Sequence, residues 1–150
     1  MKISMDQVKK LRQKTGAGVM DAKRALEESG SDAKKAEKWI AKKGLTRAEK
    51  KAERETKAGV VYAYVHHDGK NGSMVKLLCE TDFVAKTDDF SNLAKELAMQ
   101  VVSMKPKNVS EFLSQDYIRD ASMTIEVLIK QTAGKLGENV QLKEFVRYSL

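Results

Sequence analysis

The stretch GVVYAYVHHDGKNGSMVKLLCE, from Gly59 to Glu80, decides the fold class. Everything before it repeats its apolar residues at helical spacing; here the period drops to two. Gly59 to His67 reads as a strand, with Val61, Ala63 and Val65 on one face and Val60, Tyr62 and Tyr64 on the other. Asp68 to Gly72 is rich in turn residues and closes a hairpin. Met74 to Glu80 returns as a second strand with Val75, Leu77 and Cys79 on one face. A hairpin flanked by helical segments predicts an α+β fold.

Upstream, Ser4 and Gln7 form the pattern of a capping box, and Val8 and Leu11 follow at helical spacing. The helix is expected to stop at Thr15-Gly16-Ala17-Gly18. These glycines follow a helix and not a strand, so they make a helix–helix turn and no dinucleotide loop. A second helix carries Val19, Ala22, Ala25 and Leu26 and ends at Ser29-Gly30. A third, capped by Ser31 or Asp32, carries Ala33, Ala36, Trp39 and Ile40 and is expected to close at Gly44. Residues 1–45 thus form a three-helix bundle. Thr46 to Lys57 favours helix by propensity but has almost no apolar residue larger than Ala, so 46–57 is expected to be an exposed basic helical linker.

Residues 58–150 are the expected α+β core, a three-stranded antiparallel sheet packed by helices. After the hairpin, Phe90, Leu93, Ala94, Leu97, Ala98, Val101 and Val102 follow a helical stripe. A further helix is predicted from about Tyr117 to Lys135 with Ile118, Ala121, Ile125, Leu128 and Ile129 inward. Val140, Leu142, Val146 and Tyr148 then alternate in a terminal strand that Glu144 interrupts.

The 150 residues carry a net charge of +7, from 28 Lys plus Arg against 21 Asp plus Glu. Through Lys57 there are 17 basic against 9 acidic residues, and beyond it 11 against 12, so the basic balance belongs to the first third. Such a head suits either a nucleic acid or an acidic protein face. One cysteine, Cys79, excludes an internal disulfide framework and a multi-cysteine zinc site. No apolar run reaches the roughly 20 residues of a membrane span. The N-terminal MKISMDQVKKLRQ lacks a signal-peptide core, and a cytoplasmic protein is expected.

No pattern for nucleophilic, metal or phosphate-loop catalysis occurs, so no catalytic residue, metal site or cofactor is expected. His66 and His67, neighbours on a predicted strand, point to opposite faces and suit a strand end better than a metal. Cys79 falls at a core position. Glu80, Asp82, Asp88 and Asp89 could offer oxygens to a divalent cation, or simply charge a helix N-terminus. The anomaly is Phe83-Val84, apolar between acids in a connecting segment. Phe83 either tucks back onto the following helix or stands out as an aromatic anchor for a partner.

At this point the sequence resembles a known family. Cys79-Glu80-Thr81-Asp82-Phe83-Val84-Ala85-Lys86 is similar to a signature of elongation factor Ts, the nucleotide exchange factor for elongation factor Tu. Thr15 to Leu26 is similar to a second signature, and Leu136-Gly137-Glu138-Asn139-Val140 to a third. The resemblance implies that the bundle is of ubiquitin-associated type and that the chain promotes GDP release from elongation factor Tu without bond-making chemistry of its own. It implies that Phe83 inserts into the partner's nucleotide-binding domain and displaces its magnesium and phosphate site. Thr81, Asp82 and Val84 belong to the same loop, and Leu136 and Gly137 are a contact beside it. Val19, Met20 and Lys23 would hold a partner helix, and Lys51 would bind from the linker. The chain has room for one core half where longer members have two, which raises a homodimer and a 2:2 complex. With Val146 near the final strand, no disulfide-linked dimer is expected. A direct nucleic-acid contact and a membrane are not expected. The alternative is a basic RNA- or ribosome-associated adaptor without exchange activity.

Overall fold

The computed structural model describes residues 2–150 and is α+β. Helix α1, Met5–Thr15, starts at Ser4 with the expected capping box: the Ser4 hydroxyl accepts from Gln7 N–H, and the Gln7 side chain accepts from Ser4 N–H. It stops at Gly16, which is left-handed with φ 70°. Helix α2 is Val19–Glu28 and helix α3 is Ala33–Lys51, capped by Asp32. Val8, Leu11, Ala22, Ala25, Leu26 and Ala36 make a small closed core between them, with Trp39 and Ile40 at its margin.

Helix α3 corrects the expected stop at Gly44. It runs through that glycine to Lys51, so Thr46–Lys51 continues the third helix and only the residues after it are irregular. The segment also has a buried face: Ala48 belongs to the core of the second module. The cause lies in helix α7, Ile125–Leu136, which crosses α3 so closely that Gly134 faces the Gly44 backbone without room for a side chain. Local sequence favours ending a helix at glycine; here glycine is what lets two backbones approach.

Strands β1 (Ala58–Val65) and β2 (Asn71–Cys79) form the expected hairpin, and β5 (Gln141–Ser149) pairs antiparallel to β2, giving the order β1-β2-β5. Val60, Tyr62 and Tyr64 face inward with Val75, Leu77 and Cys79. Helix α5, Asp88–Met104, lies on that face, with Phe90, Leu93, Leu97 and Val101 buried, and α7 packs behind it. The other face is open and carries Val61, Val65, Met74, Val146 and Tyr148, all exposed.

Three expectations need correction. The helix predicted from Tyr117 begins only at Ile125. Before it come α6 (Val109–Ser114) and a small ribbon, β3 (Asp116–Tyr117) with β4 (Asp120–Thr124). Ile118 and Ala121 are accordingly exposed. The chain turns at Ile118 and Arg119, and Asp120 at the start of β4 accepts from Ser122 N–H at 3.1 Å. Buried Gln100 then clamps the ribbon, donating to Asp116 C=O at 2.9 Å and accepting from Ile118 N–H at 3.1 Å. In the terminal strand, a register shift opposite Lys76/Leu77 changes the alternation. Leu142 and Phe145 turn to the core, while Val146 and Tyr148 turn out. Finally, β1 ends at Val65, so His66 and His67 sit in the turn with ring centroids 4.1 Å apart instead of on opposite faces.

Candidate functional site

After Cys79 the chain leaves the sheet, and Thr81 takes an extended conformation that caps a single helical turn, α4 (Asp82–Ala85). The Thr81 hydroxyl accepts from Val84 N–H, and its carbonyl accepts from Ala85 N–H. Thr87 repeats the device one turn later, accepting from Phe90 N–H to start α5 and donating to Val84 C=O at 2.7 Å. The turn is therefore bounded by two caps. Ala85 goes into the core and Val84 packs against it, which leaves Phe83 pointing outward at 88% exposure. Of the two readings left open for Phe83, the tuck onto the following helix does not occur.

The acids around this turn do not converge. Glu80 faces Arg54 at 3.8 Å and Asp89 faces Lys135 at 3.3 Å. Asp82 and Asp88 sit in the first turns of α4 and α5, where negative charge favours the helix. Among the described residues no cluster of three or more His, Cys, Asp or Glu could hold a metal. Cys79 is a buried core thiol that donates to Thr81 C=O at 3.2 Å; burial, and then the nearby Glu138 carboxylate, push its pKa up.

The most informative contact was not read from sequence. Glu138, just past α7, accepts from Glu80 N–H at 3.1 Å and Thr81 N–H at 3.0 Å through Oε1, and from the Thr81 hydroxyl at 2.7 Å through Oε2. Its neighbours are held as well. Gly137 is left-handed with φ 77° and its carbonyl accepts from Lys51 Nζ at 2.6 Å. Asn139, also buried, donates to Ala52 C=O and Arg54 C=O at 3.1 and 2.7 Å. The structure thus brings Lys51, Gly137, Glu138 and Thr81–Val84 into one connected group. Leu136 packs at the edge of the core beside it.

Val19, Met20 and Lys23 lie apart, on the exposed start of α2. Gly18 gives that helix no side-chain cap. Asp21 anchors it to α3 through Lys43 and Arg47, each at 2.8 Å, and the Lys43 hydrogen bond leads the effects that hold the Asp21 carboxyl below its usual pKa. A cleft of about 320 Å³ separates this edge from α7, lined among others by Gly16, Asp21, Arg47 and Lys135. Across it the Lys135 stem lies against Gly16, and its ammonium reaches Asp89 at the start of α5.

Fold and site define a class: an α+β protein with a helical head, which presents an aromatic side chain on a capped and latched single turn. The family described as "Elongation factor TS" matches residues 80–150. Among curated proteins, Elongation factor Ts of Aquifex aeolicus is 46% identical over 99% of this chain and 53% of its own length. That of Fervidobacterium nodosum is 37% identical over 100% of this chain and 99% of its own. That of Thermotoga petrophila is 39% identical over 100% and 97%. The chain belongs to the elongation factor Ts family, a family of translation elongation factors. It spans about half the length of the Aquifex relative. Its alignment with the Fervidobacterium relative runs to 195 positions, so about 45 lie opposite gaps in this chain.

Proposed function

We propose that this chain is a guanine-nucleotide exchange factor for elongation factor Tu, binding the GDP-loaded partner and releasing GDP by displacing its magnesium and phosphate site. The reading rests above all on Phe83, a large aromatic held almost fully in solvent by a turn with two caps. The chain makes or breaks no bond; it lowers nucleotide affinity by binding the nucleotide-poor state better. By linkage, tightening of the factor and loosening of GDP are one coupling free energy. A nucleotide held at nanomolar affinity is bound by about 12 kcal/mol. Burying one Phe contributes about 1.5–3 kcal/mol, so Phe83 directs the displacement while other contacts supply the rest of the interface.

In this reading residues 1–45 are a ubiquitin-associated-type docking head and 58–150 the exchange core, joined through 46–57, of which Thr46–Lys51 is the end of α3. Val19, Met20 and Lys23 meet a helix of the partner's nucleotide-binding domain. Thr81, Asp82, Phe83 and Val84 enter beside the nucleotide, with Leu136 and Gly137 at their flank. Lys51, whose ammonium is engaged by Gly137, serves the interface through that loop. The open sheet face with Val61, Val65, Met74, Val146 and Tyr148 pairs two chains in a cytoplasmic 2:2 complex. Among the described residues no helix is long and apolar enough to cross a membrane.

The test is stopped-flow release of fluorescent GDP from elongation factor Tu, with gel filtration for stoichiometry. Phe83→Ala is expected to keep measurable binding and lose most of the acceleration. Wild-type rates in that variant refute the role of Phe83. RNA binding with a steep salt slope and no effect on GDP release would instead establish the adaptor reading.

A further inference from the structure

We infer that Glu138 is the positioning residue of the exchange turn: its carboxylate sets the backbone of Glu80 and Thr81, and through it the direction of Phe83. The inference rests on the exchange reading above and deepens it.

Phe83 makes no use of packing to hold its place, since it stands in solvent. Its position is set by the backbone of α4 alone. That turn has only four residues, too short to be stable by its own hydrogen bonds. What precedes it is equally weak in regular structure. The sheet ladder ends with Cys79 opposite Ala58, so the N–H groups of Glu80 and Thr81 have no strand partner. Both donate to Glu138 Oε1. Hydrogen bonds to a carboxylate are the stronger kind, and here two converge on one oxygen.

The Thr81 hydroxyl extends the hold into the turn. It donates to Glu138 Oε2 at 2.7 Å and accepts from Val84 N–H at 3.4 Å. A hydroxyl can do both at once. One oxygen therefore joins the carboxylate to the residue after Phe83. Glu138 in turn stands on a braced segment. Lys51 holds Gly137 on one side, and Asn139 grips the carbonyls of Ala52 and Arg54 on the other. The end of α3, the 137–139 segment and the turn bearing Phe83 form one unbroken chain of hydrogen bonds. A binding group fixed beforehand loses less freedom on association, and this chain fixes the backbone that carries Phe83 before any partner arrives.

The experiment has a structural arm and a kinetic arm. In the free chain, amide hydrogen exchange is followed by NMR. Glu138→Ala is expected to deprotect the amides of Glu80 and Thr81 while leaving those of α5 and β2 as in wild type. Glu138→Gln keeps an oxygen for both N–H groups and is expected to retain protection. In GDP release from elongation factor Tu, Glu138→Ala is expected to slow the stimulated rate by about ten- to a hundredfold, the scale on which ångström misplacement of a positioned group acts. Glu138→Gln restores it, and adding Glu138→Ala to Phe83→Ala costs nothing further, because both act through one side chain. Should Glu138→Ala disturb the whole fold, Thr81→Val tests the same link by removing only the hydroxyl, with Thr81→Ser expected to rescue. Unchanged amides at Glu80 and Thr81, or losses that multiply in the double variant, overturn the inference. A wild-type chain that fails to release GDP overturns the exchange reading alone, because the amide pattern still decides the latch.

Discussion

Gly44 and Gly134 face each other where α3 crosses α7, yet replacing them by alanine is expected to have opposite effects. A Cβ at Gly134 would stand 2.5 Å from the Gly44 carbonyl carbon and 2.6 Å from its Cα, and closer still to the carbonyl oxygen. These are backbone atoms inside a helix and have no rotamer to change. Ordinary contact begins near 3.4 Å, so α3 must move away by about 1 Å. Overpacking of this kind costs typically 1–3 kcal/mol, and the near-absence of give puts Gly134→Ala at the upper end. Alanine's better helix propensity returns about 1 kcal/mol. The net expectation is a loss of about 2 kcal/mol, or about 4–8 °C in Tm for a chain of this size. At Gly44 the added Cβ meets only Gln131 C=O, at 3.9 Å, which is ordinary contact. There the propensity gain stands alone, about 0.5–1 kcal/mol and about 1–4 °C upward. Thermal and urea unfolding followed by far-UV circular dichroism measure both. A Gly134→Ala variant as stable as wild type would refute the backbone-contact argument, because no side chain at the crossing can absorb the clash.

Asp21 has its pKa lowered by Lys43 and Arg47, so its contribution is present above the unfolded value near 3.8 and is lost as pH falls through the lower folded value. Asp21→Asn should be less stable than wild type at pH 6, and acid titration of unfolding should show the gap closing below about pH 4. Cys79 is buried and its pKa is raised, so an aromatic disulfide reagent should react with it at the rate of opening and not of encounter. Reaction within seconds under native conditions would contradict that placement. Gln100→Leu strands the Ile118 N–H and the Asp116 C=O, each at a cost of about 1–3 kcal/mol. Amide exchange should report the loss first in residues 116–124.

The sequence is most legible where one feature dominates its neighbourhood. The shift to period two at Gly59 marks the hairpin, because alternation on a strand needs no distant information. Ser4 with Gln7 marks a helix start for the same reason. Phe83 was legible as an anomaly, an apolar residue among acids, though nothing local could decide between tucking in and standing out. The misread elements all depend on partners far along the chain. Gly44 ends no helix because Gly134, in a different module, lies against it. The ribbon at 116–124 exists because Gln100 supplies its missing hydrogen bonds from α5. The spacing of Ile118, Ala121 and Ile125 was equally compatible with a helix. The faces of the last strand follow a register shift against β2 beside Glu144, the residue that interrupts the alternation, but which side chains face the core after it depends on the pairing. Glu138 was invisible as a site residue for the same reason: its partners lie 57 and 58 residues upstream.

The distribution of charge takes on a different meaning once the pairs are placed. The excess of the first third suits a surface for a nucleic acid or for an acidic protein face. Part of it is engaged within the molecule: Lys14 with Glu37, Lys43 and Arg47 with Asp21, and Lys51 with the Gly137 carbonyl. These contacts bind the head together and brace the segment that holds the turn bearing Phe83. Lys34, Lys38 and Lys42 are different. They recur every fourth residue along α3, all are exposed, and none belongs to an ion pair among the described residues. A stripe of like charge on one helix face costs some helix stability, and it acts at a distance that Phe83 cannot. Surface charge of this kind accelerates encounter and weakens in salt, whereas a latched aromatic acts only after contact. In the proposed exchange reading, approach and displacement then fall to separate parts of the chain, while the engaged cations Lys43, Arg47 and Lys51 belong to the frame between them.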